Sequence, residues 1–87
     1  MSYYVYILKS NRNRSYIGYT SNLEQRIPQH NRKHKGFTGT REFWELRIST
    51  ECQNESEAIK LEKYLKSLKN SKKAIKYLEK LNNKSVR

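Results

Sequence analysis

The sequence predicts an α+β domain: a three-stranded antiparallel sheet flanked by three helices. Three observations predict it. Two β-rich segments near the start are separated by a short polar turn. A third alternating segment lies mid-chain, and the last third carries apolar residues at helical spacing. The order strand, strand, helix, strand, helix, helix places helices against an antiparallel sheet.

Tyr3 to Lys9 is rich in β-branched and aromatic residues and reads as the first strand. Alternation gives Tyr3, Val5 and Ile7 one face and Tyr4, Tyr6 and Leu8 the other. Ser10 to Arg14 is polar with two Asn and reads as a turn. Ser15 to Thr20 reads as the second strand of a hairpin, with Gly18 marking a bulge or a close backbone approach. Ser21, with Glu24 three residues on, reads as a capping box that opens a helix through roughly Asn31. Pro28 falls inside that helix, where it predicts a kink or an early stop. Arg32 to Arg41 holds two of the three glycines and reads as a basic loop, His34 included. Phe43 to Thr50 alternates again, and its spacing predicts Trp44, Leu46 and Ile48 on one face. Asn54, with Glu57 three residues later, starts the next helix, in which Ala58, Leu61, Leu65 and Leu68 recur at helical spacing. Asn70 and Ser71 interrupt it. A last helix aligns Ala74, Ile75, Leu78 and Leu81. One domain over residues 1–82 is expected, with a frayed tail at 83–87.

Composition narrows the function. With 87 residues, of which 34% are hydrophobic, the core is thin, since so small a domain buries only about 60% of its unfolded surface. Seven tyrosines supply much of the packing. Nineteen Lys and Arg against eight Asp and Glu give a formal charge of +11. Such a surface attracts polyanions, nucleic acid first and anionic membrane second. Residues 60–87 carry ten Lys/Arg and two Glu, whereas residues 48–59 carry three Glu and no basic residue. Lys63, Lys66, Lys69, Lys72 and Lys73 are therefore the candidate phosphate contacts, suited to backbone attraction more than to base reading. Cys52 stands alone, which excludes an internal disulfide and a zinc knuckle. It reads as a small buried residue, and Trp44 as core. The first residues carry no signal-peptide pattern and no apolar run is long enough to span a membrane, so a cytoplasmic location is expected.

Phosphodiester hydrolysis needs an attacking water, a proton acceptor and positive charge on the phosphate. Tyr6 and Tyr16 lie on neighbouring strands and can share a face. Patterning alone favours the plainer reading, two tyrosines bracing a hairpin. Arg26 and His30 stand four residues apart, on one helix face. They suit phosphate binding and proton relay, or simply a solvated surface. Glu62 sits among Lys60, Lys63 and Lys66 at the border of the apolar stripe. It could ligate Mg²⁺, which tolerates a single carboxylate by keeping waters. Helical spacing alone favours an ion pair with Lys66 instead.

Together these positions resemble the GIY-YIG nuclease family, and most closely its small single-domain bacterial members. Tyr4-Val5-Tyr6 stands where the family has its first motif, with Tyr4 in place of glycine, and Tyr16-Ile17-Gly18 matches the second literally. Thr20 to Asn31 resembles the segment that carries the family's Arg and His, and Glu57 to Lys66 resembles its Glu-bearing helix. Asn70 is the nearest candidate for a functional Asn beyond that helix. The resemblance implies that Tyr6, assisted by His30, deprotonates the attacking water. Tyr16 orients water or phosphate, and Arg26 stabilises the developing charge. Glu62 holds one Mg²⁺ or Mn²⁺. A free tyrosine has a pKa of about 10, so a tyrosine base needs nearby cations to lower it, here Arg26 and the metal.

The function so implied is a DNA endonuclease of low sequence specificity, or selective for DNA structure, serving repair, recombination or mobile elements. Two other readings stand beside it: a catalytically inactive nucleic-acid-binding module, and a basic RNA-associated protein. No small-molecule cofactor is expected, and the oligomeric state is open.

Overall fold

The computed structural model describes residues 2–25 and 43–84. Within them lie three strands, β1 (Tyr3–Ser10), β2 (Ser15–Thr20) and β3 (Trp44–Cys52), and two helices, α1 (Glu55–Ser67) and α2 (Ser71–Lys84). The strands form one antiparallel sheet in the order β2-β1-β3. The fold class is the expected α+β one. A first helical turn forms at residues 23–25; the rest of the expected first helix, with Pro28, and the basic loop lie outside the described residues.

Its cap is one residue later than the sequence suggested. Asn22, not Ser21, accepts through Oδ1 from the Gln25 N–H, at 3.2 Å. Thr20 Oγ1 takes the Asn22 N–H at 3.0 Å, which fixes the approach to the turn. At α1 the expectation holds: Asn54 Oδ1 accepts from the Glu57 N–H at 2.9 Å. Glu57 Oε1 in turn accepts from the Gln53 N–H at 3.0 Å, so two otherwise orphan donors are satisfied. Asn70 caps α2 by accepting the Lys73 N–H at 3.1 Å. The interruption read at Asn70 is therefore the start of the last helix, which continues through Lys84.

β1 is the central strand, and Val5, Tyr6, Ile7 and Leu8 are fully buried. Its two faces meet different partners. Val5 and Ile7 join Ala58, Leu65, Ala74, Ile75 and Leu78 in an aliphatic core under α1 and α2. Tyr6 and Leu8 pack with Trp44, with Leu23 against them, on the opposite face.

β3 departs from simple alternation. Ile7 is paired with Ile48 but Leu8 with Leu46, so Arg47 is an extra residue in a β-bulge. The bulge turns Trp44 and Leu46 to the Tyr6 face and leaves Ile48 on the helix face. The shared face expected for these three residues is thus split between the two sides of the sheet. No such shift occurs between β1 and β2, so Gly18 marks a close approach and not a bulge. The hairpin turn closes through Asn13, whose φ of 64° is the left-handed conformation that Asn tolerates. Ser10 Oγ accepts the N–H groups of Arg12 and Arg14 at 3.1 and 3.2 Å.

Candidate active site

The site is built on the sheet face away from α1 and α2. Antiparallel pairing sets Tyr6 opposite Gly18 on one side and Ser49 on the other. Directly opposed residues project to the same face, so the Tyr6 ring lies between two small neighbours. The glycine is required there. A Cβ at Gly18 would sit 2.8 Å from the Tyr6 hydroxyl oxygen, 3.0 Å from Cζ and 3.1 Å from Tyr16 Cε2. The Gly of the Tyr16-Ile17-Gly18 motif thus makes room for the tyrosine of the other strand.

Tyr16 is opposite Leu8, one pair along, and therefore diagonal to Tyr6. The two rings are 6.2 Å apart at 41°. Trp44, brought to this face by the bulge, meets Tyr16 edge-on at 6.5 Å and 70°. These are favourable aromatic separations. The pair differs in access: Tyr6 is fully buried, whereas Tyr16 is 37% exposed. Of the two hydroxyl-bearing rings, Tyr16 is the one that solvent reaches.

Glu62 comes from the other side of the sheet. Its helix, α1, packs against β2 and β1, and β2 is an edge strand. Glu62 Oε2 pairs with Lys66 Nζ at 3.2 Å, and its side chain is 17% exposed against 55% for Lys66. The ion pair and the position at the border of the apolar stripe are both present. Tyr16 and Lys66 meet at a cavity of about 310 Å³ at the β2 edge, lined also by Ser15, Lys69, Asn70 and Ser71. Lys66 therefore connects the tyrosine side to the carboxylate side. Lys63, Lys69, Lys72 and Lys73 are exposed along α1, the α1–α2 junction and the first turn of α2. Arg26 and His30 lie outside the described residues.

Among the described residues, no three His, Cys, Asp or Glu side chains come together to hold a metal. Glu62 is left as a single, partly accessible carboxylate. That donor set fits Mg²⁺ or Mn²⁺ retaining most of its waters, and does not fit a closed protein cage.

Two titrations are displaced elsewhere in the fold. The Tyr19 hydroxyl, on the helix face, donates to Glu55 Oε2 at 3.2 Å. That bond holds its pKa above the ordinary value, with desolvation and the charges of Glu55 and Glu62 adding to it. Burial raises the Cys52 thiol, helped by Glu57 and Glu51. A thiol held protonated is a poor nucleophile, in keeping with the packing role expected of it.

Three contributors were not apparent from sequence: Ser49, the contact of Trp44 with Tyr16, and the cavity joining Tyr16 to Asn70. Only the literal glycine of the second motif carried a readable signal for the cradle around Tyr6.

The GIY-YIG catalytic domain family model matches residues 2–77. The UPF0213 protein YazA of Bacillus subtilis is 33% identical over 86 residues, spanning 98% of this chain and 87% of its own length. A UPF0213 protein of Vibrio campbellii is 34% identical over 73 residues, 82% of this chain and 69% of its own. Among solved structures, the UPF0213 protein BH0048 of Bacillus halodurans, determined by NMR in solution, superimposes with a TM-score of 0.53. It is 31% identical, over 98% of this chain and 86% of that one.

Proposed function

The chain belongs to the GIY-YIG family, and on that premise we propose that it is a divalent-metal-dependent endonuclease that hydrolyses DNA phosphodiester bonds with low sequence specificity. The observation that carries the proposal is the arrangement at the β2 edge. An exposed tyrosine braced by a buried one shares a cavity with a lysine, and that lysine pairs with a carboxylate.

The roles follow from access and chemistry. Tyr16, the exposed member, meets the attacking water or the phosphate. Tyr6, sealed behind Gly18, positions the Tyr16 ring and does not itself reach bulk solvent. This assignment moves the contact with the attacking water from Tyr6, where the resemblance put it, to Tyr16. Arg26 neutralises charge on the phosphate and His30 relays the proton. Glu62 would hold the metal, which when bound supplies positive charge at the scissile phosphate. Lys63, Lys66, Lys69, Lys72 and Lys73 attract the DNA backbone. Phosphate contacts carry no base information, which is the reason for expecting low sequence specificity and selection by DNA structure. Work in DNA repair or recombination, in the cytoplasm, is the setting this reading supports. No helix among the described residues is long and apolar enough to cross a membrane.

Plasmid nicking with Mg²⁺ or Mn²⁺ tests the proposal. Wild-type protein should nick, and Glu62→Ala should not, while binding DNA within a few fold of wild type. Absence of cleavage on duplex, branched and single-stranded DNA, with binding intact, would establish the binding-module reading in its place.

A further inference from the structure

Lys66 stands between two anionic tasks. Its Nζ lies 3.2 Å from Glu62 Oε2, and the same residue lines the cavity beside Tyr16. That cavity also takes Lys69, Ser15, Asn70 and Ser71, and no carboxylate is among its described lining residues. Ile17 and Leu65 complete the lining, and two lysines with several neutral hydrogen-bonding residues around this open space suit a phosphate monoanion. At 55% exposure, the Lys66 side chain has freedom to leave one partner for the other.

We propose that Lys66 is an exchangeable cation. It neutralises Glu62 while that carboxylate has no metal, and it turns into the cavity to hold a backbone phosphate of the nucleic acid when a divalent cation takes its place. The inference rests on the nuclease reading for the identity of Glu62 as metal ligand; the phosphate seat itself rests on the cavity. The exchange is inexpensive, because an i,i+4 pair on a helix surface is worth only about a factor of two in equilibrium. Its consequence is reciprocal coupling. Metal binding strengthens the hold on nucleic acid, and nucleic acid strengthens the hold on metal by the same factor. Lys66 is then a positioning residue that makes the metal-loaded state the one that grips the strand.

The test needs no cleavage. Binding of a fluorescent duplex oligonucleotide is measured in chelator for wild type, Glu62→Gln, Lys66→Met, the double variant and Glu79→Gln. Glu79 is exposed on α2, so Glu79→Gln controls for loss of one negative charge. Glu62→Gln leaves Lys66 permanently available and should bind about twofold more tightly than Glu79→Gln, the worth of one i,i+4 ion pair. Adding Lys66→Met should erase that excess, and the salt slope should fall by about one phosphate contact. Equal affinities for Glu62→Gln and Glu79→Gln would overturn the exchange, as would a gain that survives without Lys66. Plasmid nicking is scored separately. Protein that never cuts but shows the Lys66-dependent gain loses the nuclease reading and keeps the movement of Lys66 between Glu62 and the phosphate seat. Protein that cuts without the gain does the reverse.

Discussion

The two faces of strand β1 are buried equally and built differently. Toward the helices, the buried partners of Val5 and Ile7 are mainly aliphatic, Leu65, Ala58, Ala74 and Leu78 among them, with Tyr3, Tyr19 and Tyr77 only partly buried against the cluster. Toward the other side, Tyr6 and Leu8 meet Trp44, and the Tyr6 ring is fitted against Gly18 with Tyr16 close by. Val5, Ile7, Leu65 and Leu78 have no polar tip to satisfy and can be packed for stability alone, while the Tyr19 hydroxyl on this face bonds Glu55 outside the buried cluster. The aromatic face holds hydroxyls in fixed places, and it does so by surrounding them with small residues and ring edges. One strand thus separates folding from chemistry by the alternation of its side chains.

Substitutions on the two faces should divide accordingly. The widest separation is expected between Tyr16→Phe and Leu78→Ala. Tyr16→Phe should cut nicking about 10²- to 10⁴-fold, the usual worth of a proton-transfer group, with denaturant unfolding almost unchanged because the ring is part-exposed. Leu78→Ala should lower stability by about 2–5 kcal/mol, while the folded fraction retains its turnover. If both variants lose stability and activity in proportion, the division between faces is wrong.

Gly18→Ala sharpens the contrast from within the aromatic face. Its added methyl meets the Tyr6 hydroxyl at 2.8 Å, and overpacking of this kind costs about 1–3 kcal/mol. Combined with Tyr6→Phe, which removes the nearest clashing atom, part of that loss should return in a double-mutant cycle. Additive effects would mean that the hydroxyl is not what the glycine accommodates. Tyr6→Phe alone should cost about 1 kcal/mol, the net worth of a buried hydrogen bond, and should slow nicking less than Tyr16→Phe does.

The smallest effect belongs to Tyr19 on the helix face. Its folded pKa is raised above 10.0, chiefly by the bond to Glu55. The protonated form is therefore favoured by folding. Its contribution to stability is present below pH 10 and is lost as pH rises through the raised value. Glu55→Gln should bring the Tyr19 ring-carbon titration, followed by NMR, back toward the ordinary value. A titration that does not move would place the cause elsewhere.

Much of this organisation was legible because it is local or periodic. Alternation assigned the faces of β1 correctly, and Asn54 with Glu57 announced the start of α1. The misread features depend on partners. Ser21 and Asn22 are both competent caps, and the choice between them follows from Thr20 taking the Asn22 N–H. The bulge at Arg47 is a property of the β1–β3 register, about 40 residues apart in sequence, and no pattern inside β3 reveals it. Within the site, Tyr6, Tyr16 and Glu62 were marked by motif and helical position. The cavity was not, because it forms only where the β2 edge meets the junction of α1 and α2. Arg26 and His30 fall outside the described residues, so the sequence remains the sole argument for them.

The bulge at Arg47 also distinguishes two kinds of sequence change. Replacing Arg47, an exposed residue, alters one side chain and leaves the strand in register. Deleting it removes the extra residue and leaves the flanking pairs as they are, Ile48 opposite Ile7 and Leu46 opposite Leu8, so Trp44 keeps the Tyr6 face. Deleting Glu45, a paired residue, would instead put Trp44 opposite Lys9 and turn it toward the helices, since side chains repeat every two residues, and Tyr16 would lose its edge-on neighbour. Chain length is therefore free to change at the bulge and fixed between the bulge and Trp44.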